Sequence, residues 1–187
     1  MRRSQARSIL ELAKRTEALT FGEFKLSAGG TSTYYFDGRV LTLHPEGAYL
    51  VAKAFLPIVL GCGAEAIAGP TLGADPIVSA VAVLSHMDGT PIPGLIVRKE
   101  PKQHGGGRLI EGPLRQGAKV AVVDDTCTTG SSLFHAIEAM EQAGCQVVKV
   151  LSILDRREGG SDEIRRRGYD FVALMEADDR GKITPVD

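Results

Sequence analysis

Disulfide chemistry, membrane spans and an excess of one charge are all missing from this chain. Its 3 cysteines, Cys62, Cys127 and Cys145, are odd in number with neither paired nor metal-type spacing, which argues against a disulfide framework and fits free thiols in a reducing compartment. No run approaches the ~20 apolar residues that a membrane-spanning helix needs. Residues 1–19 begin basic, but Glu11, Lys14, Arg15 and Glu17 fall where a signal peptide needs an apolar core, so the expected location is the cytoplasm, with no membrane partner. A net charge of −1 and a pI near 6.4 give no electrostatic footprint for nucleic acid. No repeat, low-complexity segment or linker divides the 187 residues, and 43% hydrophobic with 24% charged residues suits one globular unit with a full core.

What the chain does have is alternation. Ile9, Leu10, Leu12, Ala13, Ala18 and Leu19 recur at helical spacing and predict an amphipathic packing helix over residues 4–19. Residues 21–39, FGEFKLSAGGTSTYYFDGR, alternate apolar and polar on both sides of Ala28-Gly29-Gly30, which predicts a small antiparallel strand pair. Neighbouring strand residues face opposite sides, so Tyr34, Tyr35 and Phe36 cannot all be core, and at least one ring is free to stack on a flat ligand. From residue 45 helical and strand patterns alternate. Helices are expected at 45–59, 74–86 and 132–143, and strands at 64–68, 92–97, 120–123, 147–154 and 171–174. A short helix carries Arg165, Arg166 and Arg167 as a solvated face, and residues 178–187 read as a tail. The expected fold is α/β: a Rossmann-like, mainly parallel sheet flanked by helices, plus a small N-terminal hood with a helix and antiparallel strands. It forms a single domain over 1–187, the hood at roughly 1–40 and the core at roughly 41–175. Residues 61–66, GCGAEA, match the dinucleotide pattern G-x-G-x-x-A, yet they precede a strand where that fingerprint must follow one, so the match is chance.

The chemistry gathers after residues 120–123. There Asp124 and Asp125 open onto Thr126, Cys127, Thr128, Thr129, Gly130, Ser131 and Ser132, hydroxyls and backbone N–H groups at a helix N-terminus that suit a phosphate dianion. Carboxylates beside an anion site would repel it unless they face another part of the same ligand. A sugar phosphate meets that demand, with its vicinal hydroxyls or a metal ion on the carboxylates and its phosphate in the turn. A lone Asp-Asp would be explained more simply as an ordinary strand–turn–helix join; the hydroxyl-rich turn argues otherwise. Residues 98–108, RKEPKQHGGGR, leave the C-terminal end of a strand, the side on which α/β folds bind ligands, so they are expected to form a mobile cationic lid. Residues 69–76, GPTLGADP, offer backbone amides at the end of another strand. The thiol of Cys127 is expected as a small buried filler.

The stretch KVAVVDDTCTTGSSL, residues 119–133, resembles the phosphoribosyl pyrophosphate (PRPP) motif of the type I phosphoribosyltransferases. It differs from a Walker A loop, since no Gly-Lys-Ser/Thr follows Gly130. FKLSAGGTSTYYFD, VRKEPKQHG and LDRREGG narrow the resemblance to orotate phosphoribosyltransferases and carry it over residues 21–160. The resemblance implies transfer of ribose 5-phosphate from PRPP to orotate, giving orotidine 5′-monophosphate and pyrophosphate in pyrimidine synthesis. It implies PRPP contacts from Arg98, Lys99, Lys102, His104 and residues 124–132, and orotate contacts from Ser27, Tyr35, Phe36, Thr128 and Arg156. Lys102, His104, Asp124 and Asp125 would be the catalytic set. It further implies Mg²⁺ held mainly through PRPP and water with no direct protein ligand, and a homodimer in which the loop of one subunit reaches into its partner's site. Two positions depart from the family pattern: many members carry a lysine where Ser27 stands, and another where this chain reads Leu72-Gly73-Ala74.

The implied chemistry agrees with the charges. Breaking the bond from ribose C1 to pyrophosphate builds positive charge on the sugar and negative charge on the leaving group, so preorganised charges of opposite sign beside each are the main source of acceleration. Asp124 and Asp125 suit the first and the cationic loop the second. Three rival readings remain: a phosphoribosyltransferase for another base, a PRPP-sensing regulator, and a receiver-type metal site at Asp124-Asp125. A regulator would need a DNA-binding segment or a basic RNA face, and a receiver's acidic pair would sit near its domain's first strand.

Overall fold

The computed structural model describes residues 2–25, 31–101 and 108–186. Helix α1 (Arg2–Arg15) leads into β1 (Leu19–Lys25) and β2 (Thr31–Phe36), which pair antiparallel. The helix stops before the expected residue 19. Glu17 takes a left-handed φ of 58°, and Leu19 pairs with Phe36 as the first residue of β1, so strand pairing overrides the helical spacing there.

The main sheet contains β3 (Ala66–Pro70), β4 (Gly94–Val97), β5 (Ile110–Glu111), β6 (Lys119–Cys127), β7 (Gln146–Asp155), β8 (Phe171–Ala177) and β9 (Ile183–Pro185). Their order is β5-β4-β3-β6-β7-β8-β9, with antiparallel pairing only where β5 and β9 join the edges. The architecture is thus α/β, a mainly parallel sheet flanked by helices beside a small antiparallel pair, as the sequence pattern implies. Two edge strands differ from expectation. β5 follows the cationic segment, and β9 lies in the stretch read as a tail, held by pairing of Ile183 with Ala177 and burial of Ile183.

The remaining helices are α2 (Gly38–Thr42), α3 (Pro45–Gly61), α4 (Asp75–Met87), α5 (Ser131–Gln142) and α6 (Gly160–Arg166). Ala121 and Val123 of β6 pack with residues of α1, α3 and α4, whereas Val120 and Val122 pack with residues of α5 and α6. A strand covered on both faces reads as an unbroken apolar run, which is why residues 120–123 stand out. Gly61 closes α3 and β3 begins at Ala66, so GCGAEA is a helix-to-strand join. The α6 arginines are more than a solvated face: Arg165 lies 5.1 Å from the Phe171 ring centre and Arg167 4.0 Å from that of Phe134, while Arg166 pairs with Glu163.

From β3 the chain crosses to β4 on one side, then returns to lay β6 on the other side of β3. The winding reverses between β3 and β6. At such a reversal the C-terminal ends of the strands leave a crevice, the usual ligand position in an open α/β sheet.

Candidate active site

A cavity of about 590 Å³ opens at that reversal. Pro70, Thr71, Leu72 and Gly73 come to it from the end of β3, Asp124, Asp125 and Thr126 from β6, and Ser131, Ser132 and His135 from α5. Lys99, just past β4, and Tyr35, Phe36, Asp37, Gly38 and Arg39, at the end of β2 and start of α2, complete the wall.

The carboxylates belong to the strand, which runs on to Cys127 past its expected end at residue 123. β6 is 9 residues long, and Asp124, Thr126 and Cys127 stay in register with Ser152, Leu154 and Asp155 of β7. Asp124 is 5% exposed; its Oδ1 accepts from the backbone N–H of Asp125 at 2.9 Å, and the Ser132 hydroxyl is also hydrogen-bonded to it. Burial, and then the neighbouring Asp125 charge, push its pKa up to about 8. Burial also raises Asp125, opposed by the Thr126 hydroxyl donating to its Oδ1 at 3.1 Å and by the nearby Arg39 charge. Burial and mutual repulsion thus disfavour ionising both carboxylates together.

Two glycines form the close walls of this pair. A Cβ on Gly38 would lie 2.5 Å from Cβ and Oδ2 of Asp125, and one on Gly73 would lie 2.8 Å from Oδ1 of both aspartates. No other residue fits either position without moving a carboxylate.

Of the residues expected from sequence, the cavity brings together Tyr35, Phe36, Lys99, Asp124, Asp125, Thr126, Ser131 and Ser132. Tyr35 is the free aromatic ring, 47% exposed and tilted against Phe24 with ring centres 5.8 Å apart. Cys127 does not offer its side chain. It is fully buried in the core beneath α5, its thiol is pushed up to about 12 by burial and then by Asp155 and Asp124, and only its backbone remains for a ligand. Thr128, Thr129 and Gly130 form the turn that launches α5, with Gly130 at a left-handed φ of 81°, but they are not in the cavity wall. Arg98 is turned aside: its guanidinium is 3.5 Å from Glu111 and its Nε donates to the Glu100 carbonyl at 3.4 Å.

Arg156 is also separate from this cavity. It lines a second crevice of about 260 Å³ with Tyr34 and Glu158, where its guanidinium is 5.1 Å from the Tyr34 ring centre and its Nε donates to Glu158 at 3.0 Å. Its backbone is nonetheless joined to the turn after β6: the Arg156 N–H donates to the Cys127 carbonyl at 2.9 Å, and the Gly160 N–H to that of Thr128 at 3.0 Å. Ser27, Lys102 and His104 lie outside the described residues.

Four wall residues escaped the sequence reading: Asp37, Gly38, Arg39 and His135. Asp37 caps α2, its Oδ1 accepting from the Arg39 N–H at 3.0 Å, and its carboxylate also accepts from Arg39 Nε and Nη2 at 3.2 and 3.3 Å. Burial opposes its ionisation, yet the bonds and charge of Arg39 hold its pKa below the usual carboxylate value. An Asp-Gly after a strand was a legible cap signal. His135 lies four residues after Ser131, the helical spacing that puts both on one face.

Among the described residues no group of three or more His, Cys, Asp or Glu side chains is gathered for a metal ion. Two carboxylates at the cavity wall do suit a divalent cation that takes most of its ligands from phosphate oxygens and water.

Residues 66–177 match the profile of the phosphoribosyl transferase domain. The chain is similar to the orotate phosphoribosyltransferase of Rhodopirellula baltica, 41% identical over 172 residues and 89% of each chain. It is similar also to that of Aquifex aeolicus, 46% identical over 153 residues, covering 82% of this chain and 84% of the relative. Among solved structures it superimposes on Mycobacterium tuberculosis orotate phosphoribosyltransferase in complex with PRPP, with a TM-score of 0.76 and 31% identity over 92% of this chain and 96% of the other.

Proposed function

This chain belongs to the phosphoribosyltransferase family, and from that premise we propose that it is an orotate phosphoribosyltransferase, moving ribose 5-phosphate from PRPP to orotate and releasing pyrophosphate. The observation that carries this reading is the cavity at the β3–β6 reversal, where the buried Asp124 and half-buried Asp125, the hydroxyls of α5's first turn and the Lys99 ammonium face one space. The names of its relatives supply the base.

In this reading the ribose hydroxyls donate to Asp124 and Asp125, and the 5′-phosphate is held by Thr126, Ser131, Ser132 and the backbone amides from Cys127 to Gly130. As the C1–O bond to pyrophosphate breaks and the bond from C1 to the orotate ring nitrogen forms, that nitrogen's proton passes to the departing pyrophosphate or to solvent, and the carboxylates stabilise the positive charge on the ribose. Lys99, with Lys102 and His104, stabilises the departing anion, and Arg98 joins them once it exchanges Glu111 for the pyrophosphate. Tyr35 and Phe36 supply the flat surface for the base, with Arg156, Thr128 and Ser27 as polar contacts. Arg156 must exchange Glu158 for the orotate carboxylate, and its cost is small because the group it leaves is half-exposed. Mg²⁺, held by PRPP oxygens and water beside Asp124 and Asp125, would neutralise charge on the pyrophosphate.

The working form in this reading is a homodimer in the reducing cytoplasm, with the loop of one subunit completing its partner's site. The free thiols of Cys62, Cys127 and Cys145 agree with that compartment. An apolar face on α3 and α4 supports self-association: Tyr49, Val83 and Met87 are 50%, 62% and 75% exposed around a groove. Mixing an inactive Lys102→Ala chain with an inactive Asp125→Asn chain should restore part of the activity in verified mixed dimers. No recovery would count against cross-subunit catalysis.

The function itself is tested by following orotate absorbance with PRPP and Mg²⁺, alongside uracil, hypoxanthine and adenine. Consumption of orotate alone is expected. Turnover of another base with orotate inert would overturn the assignment.

A further inference from the structure

We propose that His135 is a positioning residue that ties the helix at the phosphate turn to the root of the cationic segment and so aims Lys99 into the cavity. The inference rests on the reading that PRPP occupies this cavity. The His135 ring forms part of the wall, and its Nε2 lies 2.8 Å from the backbone carbonyl of Arg98, a contact between residues 37 apart in sequence. A carbonyl only accepts, so Nε2 carries the hydrogen, whether the ring is neutral or protonated.

Arg98 is otherwise fixed on the far side. Its N–H donates to the Leu109 carbonyl at 2.9 Å and its guanidinium faces Glu111, so these contacts tie it to the segment around β5. His135 is the bond that ties it to α5 instead. The next residue, Lys99, is a cation in the cavity wall, and Ser131, four residues before His135, faces the same space. A phosphate seated at the start of α5 and an anion on Lys99 are thereby held at a set separation through one side-chain bond. Without the ring the Arg98 carbonyl loses that donor, and the root of Lys99 keeps its ties to β4 and β5 but loses the one to α5.

The test is a titration of the full chain with PRPP and Mg²⁺ in the absence of orotate, with thermal melts to verify folding of each variant. His135→Ala should weaken PRPP binding about tenfold, the scale of one lost hydrogen bond. His135→Gln, whose amide nitrogen can still donate at similar reach, should bind within about threefold of the wild type. If His135 acts through Lys99, the double variant His135→Ala with Lys99→Ala should be little weaker than Lys99→Ala alone. Wild-type affinity in folded His135→Ala, a Gln variant as weak as Ala, or fully additive losses in the double variant would each overturn the proposal. Orotate turnover by the wild type, followed separately, tests the reading of the base; its absence would sink that reading while the variant series still decides His135.

Discussion

The carboxylate pair of the cavity and the arginine of the second crevice are built by opposite means. Asp124 and Asp125 are held by backbone: they lie in a central strand, one accepts a main-chain N–H, and Gly38 and Gly73 close on them with no room for a Cβ. Arg156 is held by side chains, stacked on Tyr34 and paired with Glu158 in a separate crevice. Close backbone walls fix a geometry before any ligand arrives, whereas an ion pair at a rim is a place-holder that a better anion displaces. The first arrangement suits groups that must meet a transition state, and the second suits recognition of a substrate carboxylate.

The largest effect should come from filling the backbone walls. Gly73→Ala or Gly38→Ala forces the added methyl against Asp125, and kcat/KM should fall about a hundredfold, approaching the loss in Asp125→Asn, with little change in Tm. A Gly73→Ala enzyme of normal rate would mean that the carboxylate position is not fixed by its walls. At the other end, Arg156→Ala should raise KM for orotate about tenfold or more while leaving KM for PRPP nearly unchanged, as expected for a lost charge-assisted contact. An equal rise for both substrates would erase the contrast.

The raised pKa of Asp124 gives a third measurement. Its folded pKa of about 8 stands above the ordinary value of 3.8, so between those limits unfolding releases a proton and stability falls as pH rises. Asp124→Asn should flatten that dependence and melt above the wild type at pH 8, while losing activity; an unchanged pH profile of Tm would show that Asp124 is not the group responsible. The smallest effect is expected for Glu158→Gln. Removing the place-holder's charge should lower KM for orotate by about twofold to threefold, since the pair is partly exposed.

These contrasts follow what the sequence could and could not convey. Residues 120–123 read as a buried strand because both faces are covered, but the pattern ends at Asp124 because polar residues at a strand's end look like loop when they in fact line a cavity. Helix α2 was hidden because Gly38-Arg39-Val40-Leu41-Thr42 is short and contains glycine and β-branched residues; it depends on the Asp37 cap and on packing. β9 has three residues, too few for alternation to register, and exists through pairing with β8. The PRPP motif was legible since its residues are contiguous. The contact of His135 with Arg98, and the separation of Arg156 from the main cavity, depend on elements far apart in the chain and could not be read from spacing.

The two small edge strands also bear on how the molecule behaves in company. An open parallel sheet ends in rows of unpaired N–H and C=O groups that invite another chain to add a strand. Here each end is capped by an antiparallel strand, 2 residues long at β5 and 3 at β9, the latter ending in Pro185, which has no N–H to offer. An incoming strand meets too little regular backbone to continue the ladder. The edges thus work as guards against runaway sheet growth.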